Sequence, residues 1–206
     1  MEVRSPKGEE GLTMLKGGKG YTIADIEALP EGERAELIDG ELFRMDTPIR
    51  RHQDILGEIF ANIKLHIRQN KGKCKIYPAP FAVYIKKDKH NYVEPDISVV
   101  CDRDKLDERG CQGAPDWIIE IVSSSSKTMD YERKVILYRE VGVREYWIVD
   151  PETETVTVYD FERDASRGTD KRASQETESM QHAFSERIKV GIFKDLWLNL
   201  SEMDFS

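Results

Sequence analysis

The sequence predicts a mixed α+β chain (α/β in the broad sense), built as one central β-sheet with helices packed on it. Two patterns lead there. Apolar residues recur at three- and four-residue steps in two stretches, and short apolar runs bounded by Pro, Gly or charged turns fill the intervals. No internal repeat and no linker divides two cores, so 206 residues that are 39% apolar and 34% charged read as one domain.

Taken in order, residues 1–20 hold five glycines and no period, and read as a flexible leader ahead of a single domain over 21–206. Thr22 opens a short helix, with Asp25 three residues later completing a capping-box pattern and Pro30 closing it. Asp39-Gly40 stands between the short runs Glu36–Ile38 and Glu41–Phe43, a hairpin signal because a type I′ turn needs positive φ at both central residues. Ile55, Leu56, Ile59, Phe60, Ile63 and Ile67 then mark an amphipathic helix over about His52 to Gln69. Basic residues flank it: Arg50 and Arg51 before, Lys71, Lys73 and Lys75 after.

Strand-like runs follow at Phe81–Ile85, Ile97–Cys101 and Trp117–Val122, with a polar connection, Asp102–Ala114, between the last two. After the serines 123–126, helical spacing returns over Met129–Val141, and Gly142 is placed to terminate it. Glu145–Asp150 and Val156–Tyr159 read as strands around a Pro151–Glu154 turn. Residues 162–179, with alanine as their only apolar type, read as an exposed loop or hairpin tip, and Ile188–Leu200 as a return to the core.

Composition excludes several classes. The apolar share excludes wholesale disorder, and no apolar run approaches the ~20 residues of a membrane span. The first residues lack the apolar centre of a secretory signal, which makes the cytoplasm the default compartment. Cys74, Cys101 and Cys111 sit at unpatterned spacings and read as three reduced thiols; with His52, His66, His90 and His182 they offer no zinc-ligand spacing. A net charge of −8 argues against a basic coat protein, though not against an enzyme with a local basic cleft.

The informative residues are polar ones in core slots. Glu120 interrupts Trp117–Val122, a run apolar on both faces, and its face-mates are Ile118 and Val122. It is either a site carboxylate, or a residue on an emerging face, or half of a structural ion pair, because an isolated buried carboxylate is costly. Asp96, after Pro95, stands at the mouth of the Ile97–Val100 run, as a turn residue or a second site acid. Together the two could hold one hard cation, since Mg²⁺ is commonly bound by one or two carboxylates plus water and phosphate oxygens. Lys127 and Lys134 follow closely, and Lys134 shares a helical face with Asp130 and Tyr138.

These residues in this order resemble the metal-dependent nuclease superfamily with a Pro-Asp…(Asp/Glu)-x-Lys signature. More closely, they resemble the Uma-type restriction-endonuclease-like family of small bacterial proteins. The matching segments are Glu36–Glu41, His52, Pro95-Asp96-Ile97, Ile119–Ser123, the series Asp130, Lys134, Tyr138, and Gly142–Pro151. The resemblance covers residues 21 to 160. It implies a restriction-endonuclease-like central mixed β-sheet flanked by α-helices, with Asp96 and Glu120 as metal-binding acids and Ile121 lending its backbone carbonyl. Glu36 matches an upstream acid that would assist the metal. The chain departs from the signature at Val122, where the lysine is expected; Lys134 is the matching residue on the next helix, with Lys127 as the other candidate.

The function implied is an endodeoxyribonuclease using Mg²⁺, with Mn²⁺ as a substitute. Asp96, Glu120 and Lys134 would be catalytic, and His52, Gln53, Arg50, Arg51 and Lys127 would contact DNA. The basic residues Lys71, Lys73 and Lys75 could join them on the phosphate backbone. Duplex DNA is the expected partner and a homodimer the expected assembly, because cutting both strands uses two sites. The other class is a catalytically inactive module of the same fold that binds nucleic acid or a protein. A two-carboxylate glycosidase leaves the lysine and the basic flanks without a role.

Overall fold

A six-stranded mixed sheet organises the computed structural model, which describes residues 20–123, 126–166 and 178–205. Residues 1–19 of the leader and residues 167–177 of the expected loop lie outside the described residues.

The chain opens with helix α1 (Ile23–Glu27), where the Asp25 carboxylate accepts from the Thr22 N–H at 2.7 Å and its hydroxyl at 2.9 Å. Strands β1 (Ala35–Ile38) and β2 (Glu41–Arg44) form the hairpin that Asp39-Gly40 predicts, with φ of 49° and 77° at the turn. Helix α2 (Arg50–Gln69) buries Ile55, Leu56, Ile59, Ile63 and Ile67 along one stripe. It is followed by β3 (Lys75–Pro78), β4 (Val83–Tyr84) and β5 (Ile97–Val100). The short strands β6 (Leu106–Asp107) and β7 (Gly110–Gln112) lie in the connection before β8 (Trp117–Ile121).

A π-helical segment, Met129–Lys134, runs into α3 (Val135–Val141), which ends at Gly142 with φ 88°. Next come β9 (Glu145–Asp150), β10 (Thr155–Asp160), α4 (Phe161–Ser166), β11 (Met180–Ala183), β12 (Ile188–Lys189) and β13 (Trp197–Leu198). The sheet order is β11-β10-β9-β8-β5-β3, antiparallel except for β8 and β9. Those two are parallel because a helical crossover joins them, as a parallel pair requires.

Alternation along β8 explains the two layers. Trp117, Ile119 and Ile121 face α2 and the C-terminal segment, where Ile188, Val190, Leu196, Leu198 and Leu200 close the core. Ile118 and Val122 face the opposite layer with Val135, Leu137 and Tyr138 of α3. Glu145 pins the C-terminal segment: its buried carboxylate accepts from the Gly191 and Ile192 N–H groups at 3.0 and 2.9 Å and from Trp147 Nε1 at 2.7 Å.

Four expectations are corrected. β3 starts at Lys75 of the basic flank and runs where no strand was read, because a four-residue edge strand with one buried side chain leaves almost no period. β6 and β7 lie inside the supposed polar connection, for the same reason of length. Phe161–Ser166 is a helix where 162 onward read as loop. Cys74 and Cys101 are joined in a disulfide, so only Cys111 is a free thiol; β3 and β5 pair as far as Lys75 and Val100, and the next step brings the two cysteines opposite one another. Among the described residues no helix is long and apolar enough to cross a membrane.

Candidate active site

The antiparallel pairing of β5 with β8 sets Ile97 against Ile119, and one further step sets Asp96 opposite Glu120. The two residues touch: the Asp96 N–H donates to Glu120 Oε2 at 3.3 Å, and the Ile121 N–H donates to Asp96 Oδ2 at 2.8 Å. The turn after β3 adds to this, since the Ala79 N–H donates to the Asp96 carbonyl at 2.9 Å. Both acids line a cleft of about 700 Å³ whose lining also includes Met45–Ile49, Arg51–Gln53, Ile121, Val122, Pro151 and Glu152.

Glu120 projects from β8 toward the π-helical segment, which carries Asp130 and Lys134. One turn on, Tyr138 donates its hydroxyl to Glu120 Oε1 at 2.9 Å. Lys134 Nζ lies 2.9 Å from Glu120 Oε1, 2.8 Å from Glu36 Oε2 and 3.3 Å from Asp130 Oδ1, with 4% of its side chain exposed. Spacing of four residues places Asp130, Lys134 and Tyr138 on one face, as the sequence predicts, and π-type turns recur at functional sites. Glu36 arrives from β1, held by the Glu94 N–H at 3.1 Å. Glu94 is in turn fixed by the Tyr92 hydroxyl at 2.6 Å and by Arg34 Nη2 at 2.6 Å.

His52, in the first turn of α2, places Nε2 3.1 Å from Asp96 Oδ2, and the carboxylate acceptor assigns the proton to that nitrogen. The ring therefore acts on the acid. Burial draws the His52 pKa down, but the bond to Asp96, that carboxylate's charge and the Ile121 backbone outweigh it and leave the value raised. Gln53 Nε2 approaches His52 Nδ1 at 3.5 Å.

Three carboxylates, Glu36, Glu120 and Asp130, thus surround a single ammonium, and Asp96 joins them through Glu120. Burial pushes the Glu120 carboxyl well above its ordinary value, opposed by Lys134, and pushes Asp130 up to about 6. Burial pulls the Lys134 ammonium down, but Glu120, Glu36 and Asp130 more than offset it and hold it well above lysine's usual value. Glu36 Oε2 and Asp130 Oδ1 meet the ammonium only as ion contacts, without a hydrogen bond. This surplus of hard oxygen donors suits a divalent cation. Asp96, Glu120 and the Ile121 carbonyl would be its protein ligands, with Glu36 assisting. Among the described residues no group of three or more His, Cys, Asp or Glu is arranged to hold a metal ion by itself; a Mg²⁺-type site draws on one or two carboxylates with water and substrate oxygens.

The other expected residues divide. His52, Gln53 and Arg51 line the cleft. Arg50 sits beside it on the first turn of α2, paired with Asp54 at 3.0 Å. Lys127 turns away to Asp150 at 2.7 Å, which leaves Lys134 as the lysine at the acids. Lys71, Lys73 and Lys75 follow the far end of α2, whose 20 residues span roughly 30 Å, and do not line the cleft. The basic flanks of the helix therefore do not form one patch.

A family model described as Uma2, "Putative restriction endonuclease", matches residues 23–193. The chain belongs to the Uma2 family. The solved structure titled "Crystal structure of a putative nuclease belonging to DUF820 from Anabaena variabilis" shares its fold, with a TM-score of 0.66 at 23% identity over 88% of this Uma2 chain and 96% of the other. Curated proteins give no match. The Uma2 motif segments contain the acids and the lysine but not Arg34, Tyr92, Glu94 or the cleft-lining residue Ile49. Glu94 was the one with a signal, an acid directly before Pro95-Asp96.

Proposed function

We propose that this Uma2 chain is a divalent-metal-dependent nuclease that hydrolyses DNA phosphodiester bonds. The observation that carries the proposal is the meeting of Asp96 and Glu120, from adjacent strands, with the buried Lys134 ammonium at the floor of one cleft. When bound, Mg²⁺, or Mn²⁺ in its place, supplies water activation and charge neutralisation at the phosphate.

The chain's own groups do the rest. Asp96, Glu120 and the Ile121 carbonyl would hold the ion, with Glu36 assisting. Lys134 presents an ammonium for the negative charge that develops on the phosphate oxygens, the role electrostatic preorganisation serves best in a water-poor site. Tyr138 and Asp130 fix the positions of Glu120 and Lys134. His52 orients Asp96, as groups behind metal ligands generally do. Arg51 and Gln53, on the wall of the cleft, contact the DNA.

The test is cleavage of plasmid and oligonucleotide DNA with Mg²⁺, Mn²⁺ or chelator. Asp96→Ala and Glu120→Ala should each abolish metal-dependent cleavage, and wild-type rates in either variant would remove the assignment. The alternative, a catalytically inactive binding module, draws on the acidic lining of the cleft. It is favoured if calorimetry detects no Mn²⁺ binding that depends on Glu120.

A further inference from the structure

We infer that the cleft receives a locally unpaired DNA strand, with Ile49 as the apolar contact for a base, and does not close on continuous duplex. The inference rests on the nuclease reading above and names the substrate of that same site.

Ile49 carries it. This residue is the N-cap of α2, with φ −74° and ψ 163° and no side-chain cap, and it is 73% exposed. Ser, Thr, Asp and Asn dominate that position because their side chains satisfy a free helical N–H. Isoleucine forgoes the bond and leaves a large apolar side chain in water. Two local rules are broken by one residue, and such exceptions concentrate at functional sites. The place is the lining of the acid cleft, which Ile49 shares with Met45, Pro48 and Val122. Isoleucine, methionine and proline are the side-chain types that wedge against unstacked bases.

Depth and charge point the same way. The reacting groups lie low: the side chains of Asp96, Glu120 and Lys134 are 16%, 6% and 4% exposed. A cleft of about 700 Å³ lies in the range of sites for small ligands, about 300–1,000 Å³. That is room for a nucleotide or two and not for a stacked double helix. Asp46 and Glu152 add to the four inner carboxylates of the lining, against Arg34, Arg51 and Lys134 as its cations. Arg34 and Arg51 are already paired, with Glu94 and Glu154. Duplex binding draws chiefly on phosphate neutralisation by clustered Lys and Arg, which this cleft does not offer. A single strand also exposes base faces that a stacked duplex keeps covered, and apolar side chains such as Ile49 can meet them.

The test uses the whole chain with Mn²⁺ and three labelled substrates of one sequence: a single strand, a fully paired duplex, and that duplex with a central unpaired bubble. The single strand and the bubble should be cut at least about tenfold faster in kcat/KM than the duplex. Ile49→Ser restores a capping side chain, so its thermal midpoint should hold or rise while KM for the single strand rises about tenfold, the worth of burying much of an isoleucine side chain. Ile49→Met should keep the wild-type KM. Equal or faster duplex cleavage, or an unchanged KM in Ile49→Ser, overturns the inference. Fluorescence anisotropy with the Glu120→Gln chain separates it from the nuclease reading. If the wild-type chain cuts nothing, tighter binding of single strand than duplex still supports the strand preference, and equal binding overturns it. A lower mass of Ile49→Ser by light scattering would assign Ile49 to contact with a second copy, and likewise overturn it.

Discussion

Replacing Lys134 by methionine removes the one cation among Glu36, Glu120 and Asp130 while keeping most of the side-chain volume. The ammonium is within 2.8, 2.9 and 3.3 Å of the three carboxylates, with 4% of its side chain exposed, so solvent cannot take its place. Breaking a buried ion pair by removing one partner costs about 3–5 kcal/mol, because the remaining charge is stranded. For a domain of this size each kcal/mol lowers the melting midpoint by about 2–4 °C, so Lys134→Met should melt roughly 6–20 °C below the parent. Urea unfolding at constant m-value measures the same loss. A second variant, Lys134→Met with Glu36→Gln, Glu120→Gln and Asp130→Asn, removes the stranded charges with the cation and should recover much of the stability. A Lys134→Met protein within about 1 kcal/mol of the parent would refute the reasoning, because an exposed pair is worth that little.

Two more outcomes are expected. His52→Ala should lower kcat by about 10- to 100-fold with little change in KM, as loss of a group that orients a metal ligand does, and His52→Gln should recover part of it; a change in KM alone would make His52 a DNA contact. Glu145→Ala should cost about 1–3 kcal/mol in urea unfolding, because it strands the Gly191, Ile192 and Trp147 donors. Burial raises the Glu145 pKa above its ordinary 4.5, against the pull of those three donors. A raised carboxyl contributes its stability fully below the unfolded value and loses it as pH climbs through the folded one. The cost of Glu145→Ala should therefore be greatest below pH 4.5 and shrink toward neutrality, and the opposite trend would contradict the assignment.

Local pattern carried much of the fold. The capping box at Thr22 and Asp25, the Asp39-Gly40 turn, the stripe of isoleucines in α2 and Gly142 at the end of α3 all act within a few residues, so their consequences can be read from adjacent letters. Glu120 was legible for a related reason: a single carboxylate in an otherwise apolar strand must meet a donor somewhere. The shortest elements inside the polar connection were not legible, since β6 and β7 have two and three residues, too few to show a testable period.

What the sequence determined on its own is which side chains must be buried and which buried ones are polar, because alternation and helical spacing fix faces locally. What only the tertiary structure decided is which of them meet. Lys134 reaches Glu120, 14 residues away, while Lys127 goes to Asp150. His52 finds Asp96 across 44 residues, and the Glu94 backbone finds Glu36 across 58. Those partnerships depend on strand register and on where a crossover helix lands. Both are set by packing the whole chain around one sheet, and no short window of sequence holds that information.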